Sequence, residues 1–491
     1  MRKSILFLPL LLLIGLSGCR WLEVNPEQFI LAEDALETPE DLQALLVSCY
    51  DVLANLYDGD VQLINELRGD NTNEPRSNND LRAVHNRETI RWTTYTGGVN
   101  RDFFYPVLRA NSLLESFDFV EGLSSEERTR MEAEAKFIRA FCFWGAVKMF
   151  AQPYGYTADN SHLGIPLPTY LRDTPFPRAT VGEAYAQIEQ DLNEAIESLP
   201  ESNGRYATKD AAKGLLAQVH FLKLEFSKAS QLATEVIESL NNYQLEDGMG
   251  VNVIDSILVD SMWVDTLITE VVFVDSLFLR LRLPIGTMSP ETVFGTYSKL
   301  EINDNRADQF AQWWTPTSNP EITLTSEFWD WFNYTAGAPE DQRAAWFEPQ
   351  PTEGRTLLKR FAEHNFFNVP LIHLTQLMLI RAECFGELNT NLDVAIADIN
   401  AIRQRAGITT ASAFLEAGAS SEDVIEAARD EFRKETIGMG LWVEQLQRRG
   451  TMGEDISIRN APWDCPGMAL QFSASEGNVS GFQFNEVGGC N

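Results

Sequence analysis

Apolar residues recur at helical spacing along most of the chain. Two such stretches follow Ser124 and Thr180, and each of these has a Glu three residues later, which is capping-box spacing. Thr38 offers a third start, since Pro39 and two acids follow it. The first two stretches are carried by Ala135, Ile138, Phe141, Cys142 and Ala146, and by Tyr185, Ile188, Leu192 and Ile196. The pattern predicts a mostly α-helical fold.

Two later segments predict paired helices. Residues 208–240 and 371–406 place small and large residues at the spacing of a tetratricopeptide repeat, and Gly407 follows the second segment as a C-terminal cap. The positions that carry the pattern are Ala217, His220, Ala229, Ala233 and Val236, and then Ala382, Phe385, Ala395 and Ile399. Small side chains at these positions let helices approach closely.

Two other segments are not helical in pattern. Five prolines between residues 153 and 177 predict a long ordered loop. Residues 254–278 repeat an acid every fifth position, a period that fits neither a strand nor an α-helix. Calcium binding by these acids is one interpretation, although EF-hand spacing is absent. The favoured interpretation is a surface insertion of extended or irregular structure.

Aromatic residues concentrate between residues 310 and 350, which hold five of the eleven Trp. Polar residues, Pro and Gly accompany them, as in ligand-binding loops where aromatic faces stack on sugar rings. Ordinary packing is the competing interpretation for any single ring. The candidates are Trp313, Trp314, Trp329 and Trp331, together with a smaller cluster of Arg68, Asp70, Asn71, Arg91, Trp92 and Tyr95.

The N-terminus has the features of an export signal. Arg2 and Lys3 precede an apolar run that is too short to span a bilayer, and small residues lead directly to Cys19. The arrangement resembles a bacterial lipoprotein signal over residues 1–18, in which Cys19 would carry the lipid. A lipid would then hold the protein to a membrane.

The remaining cysteines and the net charge limit which bonds, metal sites and ligands the sequence supports. Export permits a disulfide, and Cys465 and Cys490 share an irregular tail, but the sequence leaves open whether they pair. Cys142 and Cys384 fall on helical apolar patterns and are expected in the core. We expect no metal site and no cofactor, because the five His lack zinc spacing and no CxxC motif occurs. A net charge of −32 argues against nucleic acid and favours uncharged or cationic ligands.

Several motifs, taken in chain order, resemble the SusD/RagB family of nutrient-binding outer-membrane lipoproteins of Bacteroidota. The sharpest is EAKFIRA at residues 134–140, followed by GIPL at residues 164–167. Further matches are Ala110-Asn111, LMLIRAE at 377–383 and NAIRQRAG at 400–407. His373 and Gln376 depart from the family, which often has Arg and Glu there.

The resemblance implies a single domain over residues 19–491. Tetratricopeptide-like helical pairs at about 36–245 and 365–450 would form the scaffold, and residues 246–364 a loop-rich ligand-binding insertion with short β segments. Residues 451–491 would form an irregular tail. The implied ligand-binding residues are Asp70, Asn71, Arg91, Trp92, Tyr95, Trp313, Trp314, Trp329 and Trp331.

The resemblance also implies a role at the cell surface. The lipoprotein would face the exterior on the outer membrane, capture an oligosaccharide or, in some members, a peptide, and pass it to a SusC-like TonB-dependent transporter. No catalysis is expected. A surface glycoside hydrolase is a rival, but it needs two carboxylates flanking the scissile bond, and no hydrolase motif is present. A tetratricopeptide adaptor with only protein partners is the second rival. Burial of all four insertion tryptophans would favour the adaptor, and an open groove lined by them would favour glycan binding.

Overall fold

The computed structural model describes most of the chain and is mostly helical. In the described part no helix has both the length and the apolar character needed to cross a membrane. The signal at residues 1–18 and the lipidation candidate Cys19 lie outside the described residues. The described residues are 36–171, 176–245, 250–259, 262–271, 289–297, 308–314, 320–336, 340–361, 368–488 and 490.

Helices dominate both ends of the chain. The N-terminal set is α1 (Pro39–Leu56), α2 (Asp60–Arg68), α3 (Asn79–His85), α4 (Thr94–Ser116), α5 (Ser125–Phe150), α6 (Val181–Ser198), α7 (Lys209–Leu222) and α8 (Phe226–Ile237). Two helices lie in the insertion, α9 (Asp308–Trp314) and α10 (Ser326–Ala336). The C-terminal set is α11 (Leu374–Leu388), α12 (Leu392–Arg405), α13 (Ser421–Glu435) and α14 (Trp442–Thr451).

The scaffold is a succession of packed neighbours. Helices α4 to α8 each pack on the next, and α8 then packs on α11, which joins the two helical sets across the insertion. The two predicted pairs are α7–α8 and α11–α12, and both are confirmed as packed helices. Their small positions Ala217, Ala229, Ala233, Ala382 and Ala395 are fully buried.

The predicted helix starts are confirmed in detail. Thr38, Ser124 and Thr180 each accept a hydrogen bond from the third helical amide, and an acid at that position bonds back to the cap. These reciprocal bonds satisfy amides that would otherwise lack partners at a helix start. Gly407 ends α12 with φ of 82°, a left-handed conformation that glycine adopts without strain.

Strands are short and occur in small antiparallel groups. β3 (Gly250–Val259) pairs antiparallel with β4 (Met262–Val271), so the repeat is extended at residues 254–259 and 262–271, while its residues 260–261 and 272–278 lie outside the described residues. The extended structure expected for this insertion is therefore present. The other strands are β1 (Leu163–Pro166), β2 (Arg178–Thr180), β5 (Thr292–Thr296), β6 (Leu324–Thr325), β7 (Phe347–Gln350), β8 (Arg355–Leu358), β9 (Val369–His373), β10 (Ser457–Ile458) and β11 (Ala461–Pro462).

The predicted proline-rich loop contains one of these strands. β1 pairs antiparallel with β2, although Pro166 lies at its end. Proline has no amide hydrogen to donate to a neighbouring strand. It is therefore tolerated at a strand end, where that hydrogen bond is not needed.

A buried ionic cluster joins the insertion to the C-terminal helices. The Arg343 guanidinium is fully buried and lies 2.7 Å from Asp341, 2.8 Å from Glu431 and 2.9 Å from Glu435. On α13, Glu431 also pairs with Arg403 of α12 at 3.0 Å. Burial raises the pKa of Glu431, but the surrounding cations outweigh burial and hold that pKa well below its usual range. The cluster therefore depends on each charge keeping its partners.

Replacing Arg343 with Met should destabilise the protein strongly. The change leaves three buried carboxylates without their shared cation, a loss of about 3–5 kcal/mol in the free energy of unfolding. Urea denaturation followed by circular dichroism measures it. The matched control is Arg128→Met, because Arg128 pairs with Asp118 at the surface and such pairs contribute at most about 1 kcal/mol. Equal losses in the two variants would contradict a structural role for the cluster.

Candidate functional site

An open cavity of about 920 Å³ lies beside the first turns of α4. Its volume suits a small ligand of several rings. Three segments far apart in sequence form its walls: residues 91–108, residues 166–171 with Phe176, and residues 473–476 of the tail. No residue of the described insertion lines it. The cavity therefore differs from the insertion site that the resemblance implies.

Two glycines in the first turns of α4 leave space in the cavity because they have no side chain. A Cβ added at Gly98 would meet no atom within 4 Å, so this position faces open space. A Cβ at Gly97 would lie 3.3 Å from the Ser473 Cβ, so the tail passes directly over this glycine. Larger side chains at either position would occupy the cavity or push the tail outward.

A buried polar tie holds the second wall. On α5, Arg139 forms a bidentate pair with Asp191 of α6, with N–O distances of 2.8 and 2.7 Å. The same guanidinium donates to Asn111 and to the Thr169 carbonyl, and Asn111 donates to the Pro168 carbonyl at 2.7 Å. Arg139 and Asn111 belong to the two family motifs, and here both act as anchors for the loop that lines the cavity.

The tail forms the third wall and is attached at several points. The amides of Leu470 and Ala474 donate to the Met149 and Arg91 carbonyls, both at close to 2.9 Å. Further along, the structure joins Cys465 to Cys490 by a disulfide with a Cα–Cα distance of 5.8 Å. Residues 473–476 thus lie inside a covalently closed loop.

Exposed aromatic rings surround the mouth of the cavity. Trp92 is 68% exposed, and Tyr105 and Tyr170 are each nearly half exposed. Two guanidinium groups support these rings, since Arg91 lies 5.5 Å from the Trp92 centroid and Arg101 lies 5.7 Å from the Tyr105 centroid. Stacking of this kind orients flat, exposed rings towards a ligand.

Of the nine predicted ligand-binding residues, the cavity contains Arg91 and Trp92. Tyr95 points elsewhere: its hydroxyl donates to Asp60, and its ring meets Trp313 edge-on with centroids 6.5 Å apart. Sequence reasoning missed Arg101, Tyr105, Tyr170 and the tail residues. Arg101 and Tyr105 are four residues apart on α4 and therefore lie on the same helix face, a spacing that the sequence shows. The tail residues have no sequence pattern that predicts their position at the cavity.

Asp70 and Asn71 belong to a separate polar cluster. Arg433 donates to the Asn71 Oδ1 at 2.6 and 2.9 Å, and Trp442 donates to Asp70 at 2.8 Å. The Arg433 guanidinium also lies 4.3 Å from the centroid of Trp331. Asn71 is almost fully buried, so this cluster joins α13 and α14 to the segment after α2.

The other insertion tryptophans are packed to different degrees. Trp314 is 1% exposed and packs near Phe361, with centroids 6.4 Å apart. Trp329 stacks on Phe332 at 5.8 Å and is half-buried, as are Trp313 and Trp331. The four are neither all buried nor the lining of an open groove, so they decide for neither rival interpretation.

Glu66 lies beside the Asp70–Asn71 cluster and titrates unusually. It is buried and accepts a hydrogen bond from the Gly440 amide at 2.8 Å, and burial raises its pKa from 4.5 to about 7. The unfolded chain releases this proton near pH 4.5, whereas the folded protein keeps it to about pH 7. Glu66 therefore lowers the free energy of unfolding as pH rises through this window.

Replacing Glu66 with Gln should remove this pH-dependent fall in the free energy of unfolding. Relative to the parent, the variant should gain about 3 kcal/mol on going from about pH 4.5 to about pH 8, because a pKa difference of one between the folded and unfolded states corresponds to about 1.4 kcal/mol. Urea denaturation of both proteins at the two pH values measures the difference. An unchanged difference between variant and parent across this range would contradict the assignment.

Comparison with known proteins identifies the chain through its two halves. Residues 20–221 match a family model described as "Starch-binding associating with outer membrane", and residues 289–444 match the SusD family model. SusD-like protein P38 of Formosa agariphila is 27% identical over 258 residues, which is 49% of this chain and 46% of the relative. SusD-like protein P25 of the same organism is 24% identical over 45% of this chain and 44% of its own length. The chain thus aligns with slightly less than half of each relative.

Solved structures share the fold at low sequence identity. A SusD superfamily protein from Bacteroides vulgatus has a TM-score of 0.74 at 18% identity, with 91% of this chain and 99% of that chain covered. One from Bacteroides thetaiotaomicron has a TM-score of 0.72 at 18% identity, covering 91% and 100%. A laminarin-binding SusD-like protein has a TM-score of 0.62 at 18% identity, covering 91% and 99%. With both helical halves matched in order, the chain belongs to the SusD/RagB family.

Proposed function

We propose that this protein is a surface-exposed, glycan-binding lipoprotein of the outer membrane. It captures oligosaccharide and delivers it to a SusC-like TonB-dependent transporter for nutrient uptake. The family model that matches its N-terminal half is described as starch-binding and outer-membrane-associated, which supports both the ligand class and the location. Lipidation of Cys19, the outward orientation and the transporter are parts of this proposal.

The cavity beside α4 carries the proposal. Sugar rings have apolar C–H faces that stack on aromatic rings, while their hydroxyls need hydrogen-bonding partners. The mouth supplies the rings of Trp92, Tyr105 and Tyr170, and the lining also supplies polar groups of the buried Asn100 and the exposed Ser475. An elongated ligand could enter from solvent without displacing any buried residue.

Binding without bond cleavage is the activity that fits this cavity. Glycoside hydrolysis uses a pair of carboxyl groups on either side of the scissile bond. Among the described lining residues, Glu476 is the only carboxylic acid. We therefore assign the cavity to recognition and transfer of an intact ligand.

A peptide is the second candidate ligand. The cavity wall also carries apolar side chains, namely Phe104, Leu108 and Phe176, which suit the side chains of an extended peptide as well as sugar faces. A peptide would pair its backbone with the polar groups at the same positions. Binding to polysaccharides of defined composition separates the two ligand classes.

Affinity electrophoresis tests glycan binding. The chain from residue 20, which includes every described residue, is run through native gels containing starch, laminarin, xylan, pectin and other polysaccharides, with released reducing ends assayed in the same gels. We expect one glycan to retard the protein without sugar release. Replacing Trp92 with Ala should lower the affinity for that glycan about tenfold and so reduce the retardation, because a lost ring stack costs about 1.5 kcal/mol.

Two further variants locate the site. Tyr334→Ala is the matched control, since Tyr334 is a highly exposed ring outside the cavity and its loss should have no effect. Trp331→Ala tests the insertion: a loss confined to this variant would place the ligand there and not beside α4. Sugar release would contradict the non-enzymatic role, and an absence of retardation by every glycan would favour peptide.

A further inference from the structure

Charged groups are unevenly distributed around the cavity. The described lining residues include two guanidinium groups, Arg91 and Arg101, and one carboxyl group, Glu476. The chain as a whole has 71 acidic against 39 basic residues. Among the described lining residues, basic groups therefore outnumber acidic ones, which is the reverse of the ratio in the whole chain.

Neither guanidinium is committed to a buried ion pair. Within the described part of the chain, no carboxylate lies at ion-pair distance from Arg91, whose neighbours are the rings of Trp92 and Phe484 at 5.5 and 5.8 Å. Arg101 has a side chain that is 63% exposed and pairs with the adjacent Asp102, at 3.3 Å. An exposed pair of this kind contributes little and exchanges readily for a better partner.

Two buried arginines of the scaffold show the opposite arrangement. Arg139 and Arg343 are buried and hold carboxylates at 2.7 Å. An arginine kept at a cavity without such a partner retains five N–H donors in a planar fork, which matches carboxylate, sulfate and phosphate groups. The two cavity arginines are thus placed to bind an anionic group of a ligand.

The start of α4 adds donors on the same side. Thr93 and Thr94 line the cavity where the helix begins, and the first turn of the helix contains no acidic residue. The Tyr95 amide donates a hydrogen bond to Asp80, and Asp80 does not line the cavity. Asn100 lines the cavity at 2% exposure, and its Oδ1 has no hydrogen-bond partner among the described residues. Because Oδ1 is an acceptor, it suits a sugar hydroxyl of the ligand and not its anionic group.

The net charge of −32 does not oppose this arrangement at contact distance. Charges farther than about 8 Å are screened at physiological ionic strength, so distant acids of the chain act only weakly on a ligand held by Arg91 and Arg101. The overall acidity still disfavours long polyanions such as nucleic acid, which would face the rest of the surface.

We propose that the cavity selects oligosaccharides that carry acidic groups, either uronic-acid carboxylates or sulfate esters, through Arg91 and Arg101. This inference rests on the proposed function and specifies its ligand class. Each charge-assisted hydrogen bond of this kind contributes more than a neutral one. Glu476, the carboxyl group of the tail wall, is left to accept hydrogen bonds from sugar hydroxyls.

Matched pairs of probes test the selection. Isothermal titration calorimetry with the chain from residue 20 compares polygalacturonate oligosaccharides and alginate oligosaccharides with their carboxyl-reduced forms. It also compares carrageenan oligosaccharides with their desulfated forms. We expect the acidic member of at least one pair to bind at least tenfold more tightly than its neutral form. The pair that responds distinguishes carboxylate from sulfate.

Arg101→Gln tests the residue itself. The variant should lose about tenfold in affinity for the acidic probe and keep any affinity for the neutral form, because only the charge-assisted contact is removed. Arg128→Gln is the matched control: its guanidinium also covers an aromatic ring, Phe117 at 5.4 Å, and pairs with a surface carboxylate, but it lies outside the cavity. We expect no change in that variant.

Two results would overturn the inference in different ways. Equal or tighter binding of the neutral member in every pair, or binding only of neutral glycans in the gel assay, would overturn acidic selection and leave glycan capture intact. Failure of every acidic and neutral probe would overturn both proposals. An Arg101→Gln variant that binds the acidic probe as the parent does would remove Arg101 from the recognition of the anion.

Discussion

A guanidinium buried away from water needs hydrogen-bond acceptors, and at several helix seams this protein supplies carboxylates. Arg139 pairs with Asp191 between α5 and α6, and Arg381 pairs with Asp398 between α11 and α12 at 2.8 Å. Arg343 gathers carboxylates from its own segment and from α13. Since a lone buried charge is costly, each pair disfavours any register of its two helices that would separate the charges.

The same constraint distinguishes the arginines of the helical scaffold from those at the cavity. The described arginines at the seams are buried and paired, while those at the cavity mouth stack on exposed rings. Arg139 and Asn111 donate hydrogen bonds to the Thr169 and Pro168 carbonyls of the loop that forms one wall. A rigid helical frame thereby carries irregular segments whose side chains can vary without unfolding the molecule.

The helical scaffold was predictable because local rules determine it. Capping residues, apolar periodicity and small residues at helix contacts act within a few positions of one another, and Thr180 or Ala229 could be interpreted without knowing the fold. The cavity was predictable only in part. Arg91 and Trp92 were found, but the Ser473 wall comes from a tail almost 400 residues away, and no local pattern encodes that contact. The insertion tryptophans drew attention by number alone, whereas burial of Trp314 depends on what packs around it.

The Cys465–Cys490 bridge makes one wall of the cavity depend on redox conditions during folding. A disulfide persists in oxidising compartments and is kept reduced in a cytosol rich in thiols. Chain produced in a reducing cytosol would form the helical frame, since its other described cysteines are buried thiols, but the segment between residues 465 and 490 would be held by hydrogen bonds and packing alone. Preparations of identical sequence and identical helix content could then differ in ligand affinity, and the oxidation state of one cystine would distinguish them.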